Sequence, residues 1–301
     1  MSASPPRRKA HSAANKAVPA SPSIGVALGS GGARGLAHIA VLEAFDELGL
    51  RPQIIAGASM GALIGAAYAS GLDAVDLRTH VVALLADRLA IARRLLAERT
   101  GGILNLIDRI RSGSDFESRG VIDAVLPETV PQEFADLALP LLVIATDYYK
   151  KRERVLDTGP LRTAIAASTA LPGFMRPQVI GGSVLIDGGV TNPLPFNHLR
   201  DRADIVVAVD VIGGPSANRG RSIPSGPELV FRSIQIMQHI MARGMIAQRP
   251  PDILIRPPVE RFRLLDFLKG YQILEAAQPA KEELKRSLDR VLSRADLQRN
   301  P

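Results

Sequence analysis

Two consecutive strand–turn–helix units near the start of the chain restrict its fold more than any other feature. The apolar run Ile24–Leu28 ends in the turn Gly29-Ser30-Gly31-Gly32 and is followed by helical spacing over residues 36–48. The apolar run at 53–56 ends in Gly57-Ala58-Ser59-Met60-Gly61 and is followed by a helical run of small residues. Strands that alternate with helices predict an α/β domain with a mainly parallel sheet covered on both faces.

The rest of the chain continues this alternation. Short apolar runs predict strands at 141–145, 184–186, 205–211 and 253–255, with a hairpin partner for the first of them at 154–156. Helical spacing predicts helices at 161–169, 228–247 and 274–292. Residues 81–111 show a basic amphipathic pattern broken at Gly101-Gly102, which fits a cap over the core or a helix lying on a membrane.

With 301 residues the chain is long enough for one large domain with appendages. Residues 1–23 are rich in Ala, Pro and Ser and carry four basic and no acidic residues, so we expect a disordered basic tail. The catalytic core is predicted at 24–212 and is followed by a flexible loop at 213–227, which is dense in Gly, Pro and Ser. Residues 228–301 then complete the domain with helices and one strand.

Composition limits the partners. The net charge of +7 would suit nucleic acid or an anionic membrane, but only 4% of the residues are aromatic and none interleave with basic runs, so we expect no nucleic-acid partner. No signal-peptide pattern and no apolar run of roughly 18 residues is present, which predicts a cytoplasmic protein whose contact with a membrane, if any, is peripheral. The chain has no cysteine, which excludes disulfides and thiolate chemistry.

Ser59 is the first candidate for chemistry. It stands in a G-x-S-x-G sequence between a predicted strand and a predicted helix, where Gly57 and Gly61 allow a sharp turn that exposes the serine hydroxyl. The five-residue pattern alone also occurs in ordinary glycine-rich turns. Its position between strand and helix favours a nucleophile.

The loop from Gly29 to Gly35 is the second candidate. Glycine amides at a helix N-terminus can hold an anion, as in a phosphate loop or an oxyanion hole. The sequence lacks a Walker A lysine, and Arg34 stands where a dinucleotide motif needs glycine, so an oxyanion hole beside the serine turn is favoured. Arg34 either fixes this loop, faces the substrate or forms a plain salt bridge.

Asp187-Gly188-Gly189 follows a predicted strand and is the third candidate. An aspartate at the end of a strand can project into a cleft. The same residues also make an ordinary Asp-Gly turn, and their spacing alone favours that turn.

In chain order, the glycine loop, the serine motif, Ala167-Ser168-Thr169-Ala170-Leu171-Pro172-Gly173 and Asp187-Gly188-Gly189 resemble the motifs of bacterial patatin-like phospholipases. The resemblance extends from about residue 24 to 211, with an echo at Leu264-Leu265-Asp266-Phe267. It implies a three-layer α/β/α patatin-like fold and a Ser–Asp dyad that hydrolyses acyl esters of lipids. By position, Ser59 is the nucleophile, Asp187 the base, and the amides of Gly31 and Gly32 the oxyanion hole. The supporting residues are Ser30, Arg34, Met60, Gly57, Gly61 and Gly188, and Ser30 departs from the family's usual glycine.

Three alternatives remain open from the sequence. A Ser-His-Asp triad could use His198 or His239, which both follow Asp187 in the chain. The same serine could transfer the acyl group to an acceptor other than water. The chain could also bind lipid without catalysis. The five histidines show no metal-ligand spacing, and we expect neither a metal nor a cofactor.

Overall fold

An eight-stranded mixed sheet forms the centre of the chain in the computed structural model, which describes residues 22–97, 118–213 and 226–299. The strands are β1 (Ile24–Leu28), β2 (Ile54–Ala58), β3 (Leu141–Asp147), β4 (Arg152–Leu156), β5 (Gln178–Ile180), β6 (Ser183–Asp187), β7 (Ile205–Val209) and β8 (Ile253–Ile255). Hydrogen-bonded neighbours follow the path β5-β6-β3-β2-β1-β7-β8, and β4 also pairs with β3. The four pairs from β3 to β8 are parallel, and the pairs β3–β4, β3–β6 and β5–β6 are antiparallel.

The described helices are α1 (His38–Glu47), α2 (Met60–Ala69), α3 (Ala74–Ala97), α4 (Ser118–Val125), α5 (Leu161–Ser168), α6 (Gly226–Gln248), α7 (Gly270–Ala276) and α8 (Gln278–Arg299). A 3-10 turn, Gly32–Ala37, leads into α1, and another, Phe196–Leu199, precedes β7. Among these helices none is both long and apolar enough to cross a membrane.

Alternating side chains along the strands build two cores, one on each face of the sheet. In β1, Val26 and Leu28 belong to the larger core, whereas Ala27 belongs to the smaller one. Helices α1, α2, α3, α5 and α8 contribute to the larger core. The smaller core is closed by the turn Phe196–Leu199 and by Ala242 of α6. The predicted α/β fold with helical layers on both faces of a mainly parallel sheet is therefore confirmed.

Several predicted boundaries change. The second strand runs on to Ala58, so the sharp turn at the serine is confined to one residue. The predicted C-terminal helix is divided at Ala277 into α7 and α8. Two elements were missed: α4, whose eight residues include Gly120 in the first turn, and β5, which has three residues.

Other predictions fall only partly within the described residues. The basic amphipathic segment predicted at 81–111 is described up to residue 97, as the second half of α3. Residues 98–117 lie outside the described part of the chain. So do nearly all of the predicted tail and of the loop at 213–227, and the domain limits there remain predictions.

Candidate active site

Strand β3 brings Ser59 and Asp187 together. Ala58 at the end of β2 is the register partner of Ile144, and Asp187 at the end of β6 is the register partner of the next residue, Ala145. Because β4 pairs with the residues of β3 that face both of these strands, β2 and β6 must share the opposite edge of β3. The ends of β2 and β6, which are distant in sequence, therefore meet along one edge of β3.

Ser59 occupies a strained turn between β2 and α2. Its backbone has a φ of 54° and a ψ of −120°, in the region that side chains other than that of glycine rarely enter. The flanking glycines make this turn possible. A Cβ on Gly57 would stand 2.6 Å from the backbone of Ala62, and one on Gly61 would overlap the carbonyl of Leu28. This is the geometry of a nucleophile elbow, which projects the serine hydroxyl from the end of the sheet.

The hydroxyl of Ser59 donates a hydrogen bond to Asp187, with 2.6 Å between Oγ and Oδ2. The other carboxylate oxygen, Oδ1, accepts from the amide of Gly189 at 2.7 Å. Gly188 has no room for a side chain, because a Cβ there would overlap the carbonyl of Ile144. The Asp-Gly-Gly sequence therefore closes a tight turn against β3 and at the same time directs its carboxylate to the serine, so that both sequence interpretations apply.

Burial makes Asp187 a better base than an ordinary aspartate. The side chain is almost entirely shielded from water, and this desolvation raises its pKa from 3.8 to about 6. The hydrogen bonds from Ser59 and Gly189 act in the opposite direction, because they stabilise the charged form. The carboxylate is thus ionised at neutral pH, with a pKa close to the range in which proton transfer is efficient.

Two buried hydroxyls hold this pair in place, and the sequence analysis assigned a role to neither. Ser168, the last residue of α5, accepts a hydrogen bond from the amide of Ser59 at 2.9 Å and donates one to the carbonyl of Ile144 at 2.5 Å. Thr146 donates to the carbonyl of Asp187 at 2.9 Å. Both sides of the Ser59–Asp187 pair are thereby connected to β3.

We expect Ser168→Ala to lower kcat on a soluble ester by about 10-fold to 100-fold with little change in KM. The amide of Ser59 loses Ser168 Oγ as its acceptor, and the Ser59 hydroxyl shifts as a result. The unpaired amide of Ser59 should also reduce the free energy of unfolding by about 1–3 kcal/mol. Steady-state kinetics and urea unfolding measure the two effects. Ser70→Ala is the matched control, because the Ser70 hydroxyl donates to the carbonyl of Ala67 in the helix that it follows and has no contact with the elbow in the described structure. An equal loss of kcat there would contradict the assignment.

The glycine loop leaves two backbone amides available near Ser59. The amides of Gly29, Ser30 and Ala33 donate to the carbonyls of Val209, Pro193 and Leu264, and that of Arg34 donates to Gly31. Within the described part of the chain, the amides of Gly31 and Gly32 have no acceptor. Gly32 has a φ of 54° and lies directly against the carbonyl of Leu264, so only glycine fits there.

Ser30, where the sequence departs from the related pattern, is buried and borders the same cavity as Ser59. Its Oγ lies 2.6 Å from the position that a Cβ on Gly189 would take. The serine therefore fills the space between the glycine loop and the turn that holds Asp187. This contact replaces the open space that a glycine would leave, and it does not involve the two available amides.

The remaining supporting residues are also placed around the elbow. Arg34 is buried, with its Nε 3.5 Å from the carbonyl of Gly31 and its guanidinium against Gly213. These contacts are those expected of a residue that fixes the loop, and the other two roles stay open. Met60 fills the space over Gly35 and borders the cavity.

His38 is a further support of the glycine loop. Complete burial lowers its pKa to about 4, so the ring is neutral at pH 7. Its Nε2 lies 2.8 Å from the carbonyl of Gly29, and because a carbonyl can only accept, Nε2 must carry the proton. The ring thus fixes the first residue of the loop from behind.

The two histidines considered for a triad lie elsewhere. His198 contacts Glu153 of β4, with 2.5 Å between Nε2 and Oε1. His239 belongs to α6. In the described structure neither forms a hydrogen bond with Ser59 or Asp187, whose side chains bond to each other and to Gly189.

An apolar cavity of about 450 Å³ opens onto the pair. Its polar groups include Ser59, Asp187 and Ser30 at one end, whereas most of its wall is aliphatic. Val81, Leu84 and Leu85 of α3, at the start of the predicted basic amphipathic segment, form part of that wall. The shape and polarity suit an acyl chain whose ester carbonyl reaches Ser59.

Comparison with known proteins points to one family. The sequence model of the patatin-like phospholipases matches residues 26–200, which is more than half of the chain. Proteins of Mycobacterium bovis and Mycobacterium tuberculosis, described as uncharacterised members of the NTE family, are 36% identical over 195 residues, covering 64% of this chain and 50% of their own. This chain therefore spans about half the length of these relatives.

More distant similarities extend over more of the chain. A protein of Kluyveromyces lactis named lysophospholipase NTE1 is 28% identical over 276 residues, covering 84% of this chain and 18% of its own length. Among solved structures, VipD from Legionella pneumophila superposes with a TM-score of 0.45 and 14% identity, over 89% of this chain and 67% of that one.

Proposed function

Because this chain belongs to the patatin-like phospholipase family, we propose that it is a carboxylic ester hydrolase that cleaves acyl esters of lipids with a dyad of Ser59 and Asp187. The observation that carries the proposal is the 2.6 Å hydrogen bond between the Ser59 hydroxyl, exposed by a strained turn, and a buried carboxylate with a raised pKa. The yeast relative named lysophospholipase supports a lipid ester as the substrate class.

In the proposed acylation step, Ser59 Oγ attacks the ester carbonyl while its proton passes to Asp187 Oδ2. The negative charge that develops on the carbonyl oxygen is held by the amides of Gly31 and Gly32, and one such donor is typically worth about 10²- to 10³-fold in rate. The tetrahedral intermediate collapses as the C–O bond to the alcohol breaks and Asp187 returns the proton to that alcohol. Ser59 then carries the acyl group as an ester.

Deacylation repeats these steps with water. Asp187 takes a proton from a water molecule, the resulting hydroxide attacks the acyl carbonyl, and the proton passes to Ser59 Oγ as the fatty acid leaves. A carboxylate is a weaker base than imidazole, and for this reason we expect modest turnover. The bonding of His198 to Glu153 supports a dyad over a triad that uses this histidine.

A fluorophosphonate probe tests the proposal most directly. The wild type should be labelled on Ser59 and should hydrolyse a short p-nitrophenyl ester, whereas Ser59→Ala should do neither and should keep its melting temperature within a few degrees. Tryptic mass spectrometry locates the adduct. Labelling at another serine, or hydrolysis by purified Ser59→Ala at the wild-type rate, would reject the nucleophile.

The acyltransferase alternative uses the same acyl-enzyme and differs in the acceptor. Product analysis separates the two activities, with an alcohol added as the acceptor or a thioester as the acyl donor. An acyltransferase should form more acylated acceptor than free fatty acid. A protein that binds lipid without catalysis would bind vesicles but take up no probe on Ser59.

A further inference from the structure

Half of the large apolar side chains that are exposed in the described chain lie in two segments, α6 and the loop at 256–269 after β8. Six of them form what we name the apolar rim: Leu229, Ile236, Met237, Ile240, Leu265 and Leu268. Such exposure is high for aliphatic groups; Ile240 is 63% exposed and Leu268 is 68% exposed. Clusters of this kind on a protein surface mark sites of interaction.

Helix α6 is apolar on two opposite sides. One side faces inward: Ala242 belongs to the smaller core, Met245 packs against it, and the polar Gln238 is buried there beside Gly189. Leu229, Ile236 and Ile240 follow one another at spacings of seven and four residues, which places them on the other side of the helix. A helix at a protein surface normally carries one apolar stripe toward the core. The second stripe on α6 is therefore not explained by packing within the part of the chain that the structure describes.

The apolar rim is continuous with the cavity that reaches Ser59. Leu265 borders this cavity and is also 44% exposed. Phe267 borders it too, and the next residue in the chain is the exposed Leu268. On α6, Ile234 and Gln235 border the cavity next to Ile236 of the rim. Both segments of the rim thus adjoin the cavity.

Positive charge accompanies the rim. Helix α6 contains Arg232 and Arg243 and one acidic residue, Glu228, at its beginning. The loop at 256–269 contains four basic residues, among them the exposed Arg261 and Arg263, and two acidic ones, Glu260 and Asp266. Aliphatic groups in a stripe with cations beside them are typical of surfaces that lie on anionic bilayers, where the apolar groups enter the interface and the cations remain at the head groups.

We propose that the apolar rim docks the protein on an anionic lipid bilayer, with the cavity opening at the membrane so that an acyl chain can pass from the bilayer to Ser59. The use of the cavity rests on the proposed function. Binding to the bilayer requires only the rim, and the two ideas can fail separately. The proposal places the membrane contact on α6 and on the loop after β8, and not on the basic segment at 81–111.

The test is co-sedimentation with vesicles of phosphatidylcholine alone or mixed with phosphatidylserine, using the Ser59→Ala protein so that the lipid stays intact. The parent protein should bind the mixed vesicles more tightly than the neutral ones. Adding Ile236→Asp and Ile240→Asp should weaken partitioning onto the vesicles at least about 10-fold for each residue, because the bilayer then buries no isoleucine side chain at either position. Adding Val75→Asp instead, at an exposed position on α3, should leave binding unchanged.

With Ser59 intact, the variant carrying both rim substitutions should hydrolyse the short soluble ester at the wild-type rate, which shows that the fold and the site are preserved. Failure of the parent to bind mixed vesicles, or equal binding by the rim variant, would overturn the proposal. So would a dimer in solution that the rim substitutions dissociate, because a second copy would then be what covers the rim. If vesicle binding depends on the rim but wild-type protein hydrolyses no ester, the docking surface stands and the proposed function fails.

Discussion

Replacing Asp187 by asparagine is expected to lower ester hydrolysis by about 10⁴-fold or more, the scale of losing an essential member of a nucleophile–base unit. Asparagine keeps the shape of the side chain and can still accept from the amide of Gly189, but its amide nitrogen would donate to Ser59 Oγ and cannot take up the serine proton. The loss should appear in kcat, measured with a short soluble ester. An Asp187→Asn protein with more than a tenth of wild-type kcat would show that Asp187 is not the base.

The same substitution should stabilise the fold at neutral pH. The pKa of Asp187 is raised from 3.8 to about 6 on folding, so the folded state holds the proton more tightly than the unfolded state. The stability that this tighter proton binding gives is present below about pH 4 and is lost as the pH rises to about 6. Above that range, burial of the ionised carboxylate lowers the free energy of unfolding by about 2–3 kcal/mol. Asparagine carries no charge to desolvate. Urea unfolding at pH 7.5 should therefore give a larger free energy for Asp187→Asn, and the difference should shrink toward about pH 4.

The pH profile of the wild type is tied to the same group. Because the ionised carboxylate is the active form, kcat/KM should rise with pH to a plateau, with a midpoint near the pKa of about 6. His198→Ala provides the control, since this histidine bonds to Glu153 and not to the dyad. Its profile and plateau should match those of the wild type. If kcat/KM of His198→Ala failed to reach the wild-type plateau, His198 would have to act with Ser59 and Asp187 in a triad.

The order of strands and helices could be predicted from the sequence because the signals are local. An apolar run such as Ile24–Leu28, followed by glycines and then by helical spacing, defines strand, turn and helix without reference to the rest of the chain. The hairpin of β3 and β4 was predicted for the same reason. Helix α4 has the same length as the predicted α5, but Gly120 in its first turn interrupts the helical pattern.

The partners of Ser59 depend on contacts that no local pattern records. The hydrogen bond to Asp187 spans 128 residues and that to Ser168 spans 109. The order of the motifs and their resemblance to a family suggested the first. The only local sign of the second was a serine at the end of an alanine-rich run, where a buried hydroxyl needs a partner. Neither the register of β3 nor the raised pKa of Asp187 can be obtained from composition or spacing.

Helix α6 illustrates a different limit. Its sequence is apolar at many positions, and periodicity alone assigns a helix without deciding which apolar side chains are covered. The three-dimensional packing buries Gln238 and leaves Ile240 exposed, the reverse of what polarity predicts. Inversions of this kind are expected where a surface serves a function besides folding.

Gly61→Ala is expected to have the largest effect on stability, because it adds one methyl group where the backbone leaves no space. The Cβ would overlap the carbonyl of Leu28 and stand 2.9 Å from that of Gly29, and α2 would have to move away from β1. Backbone cannot yield as a side chain can, so we expect a loss of about 3 kcal/mol or more in the free energy of unfolding.

Activity should fall with it, by at least about 100-fold, because α2 follows the elbow directly and Gly29 begins the loop that we propose as the oxyanion hole. Urea unfolding and hydrolysis of a short ester measure both effects. Gly244→Ala is the matched control: it lies within α6, and beyond its chain neighbours and the backbone of its own helix no described atom lies within 4 Å of the added Cβ. The better helix propensity of alanine should stabilise the fold by about 0.5–1 kcal/mol at unchanged kcat. Equal stability and activity of the Gly61→Ala and Gly244→Ala proteins would mean that α2 does not begin against the end of β1. The placement of Ser59, directly before α2, would then be wrong as well.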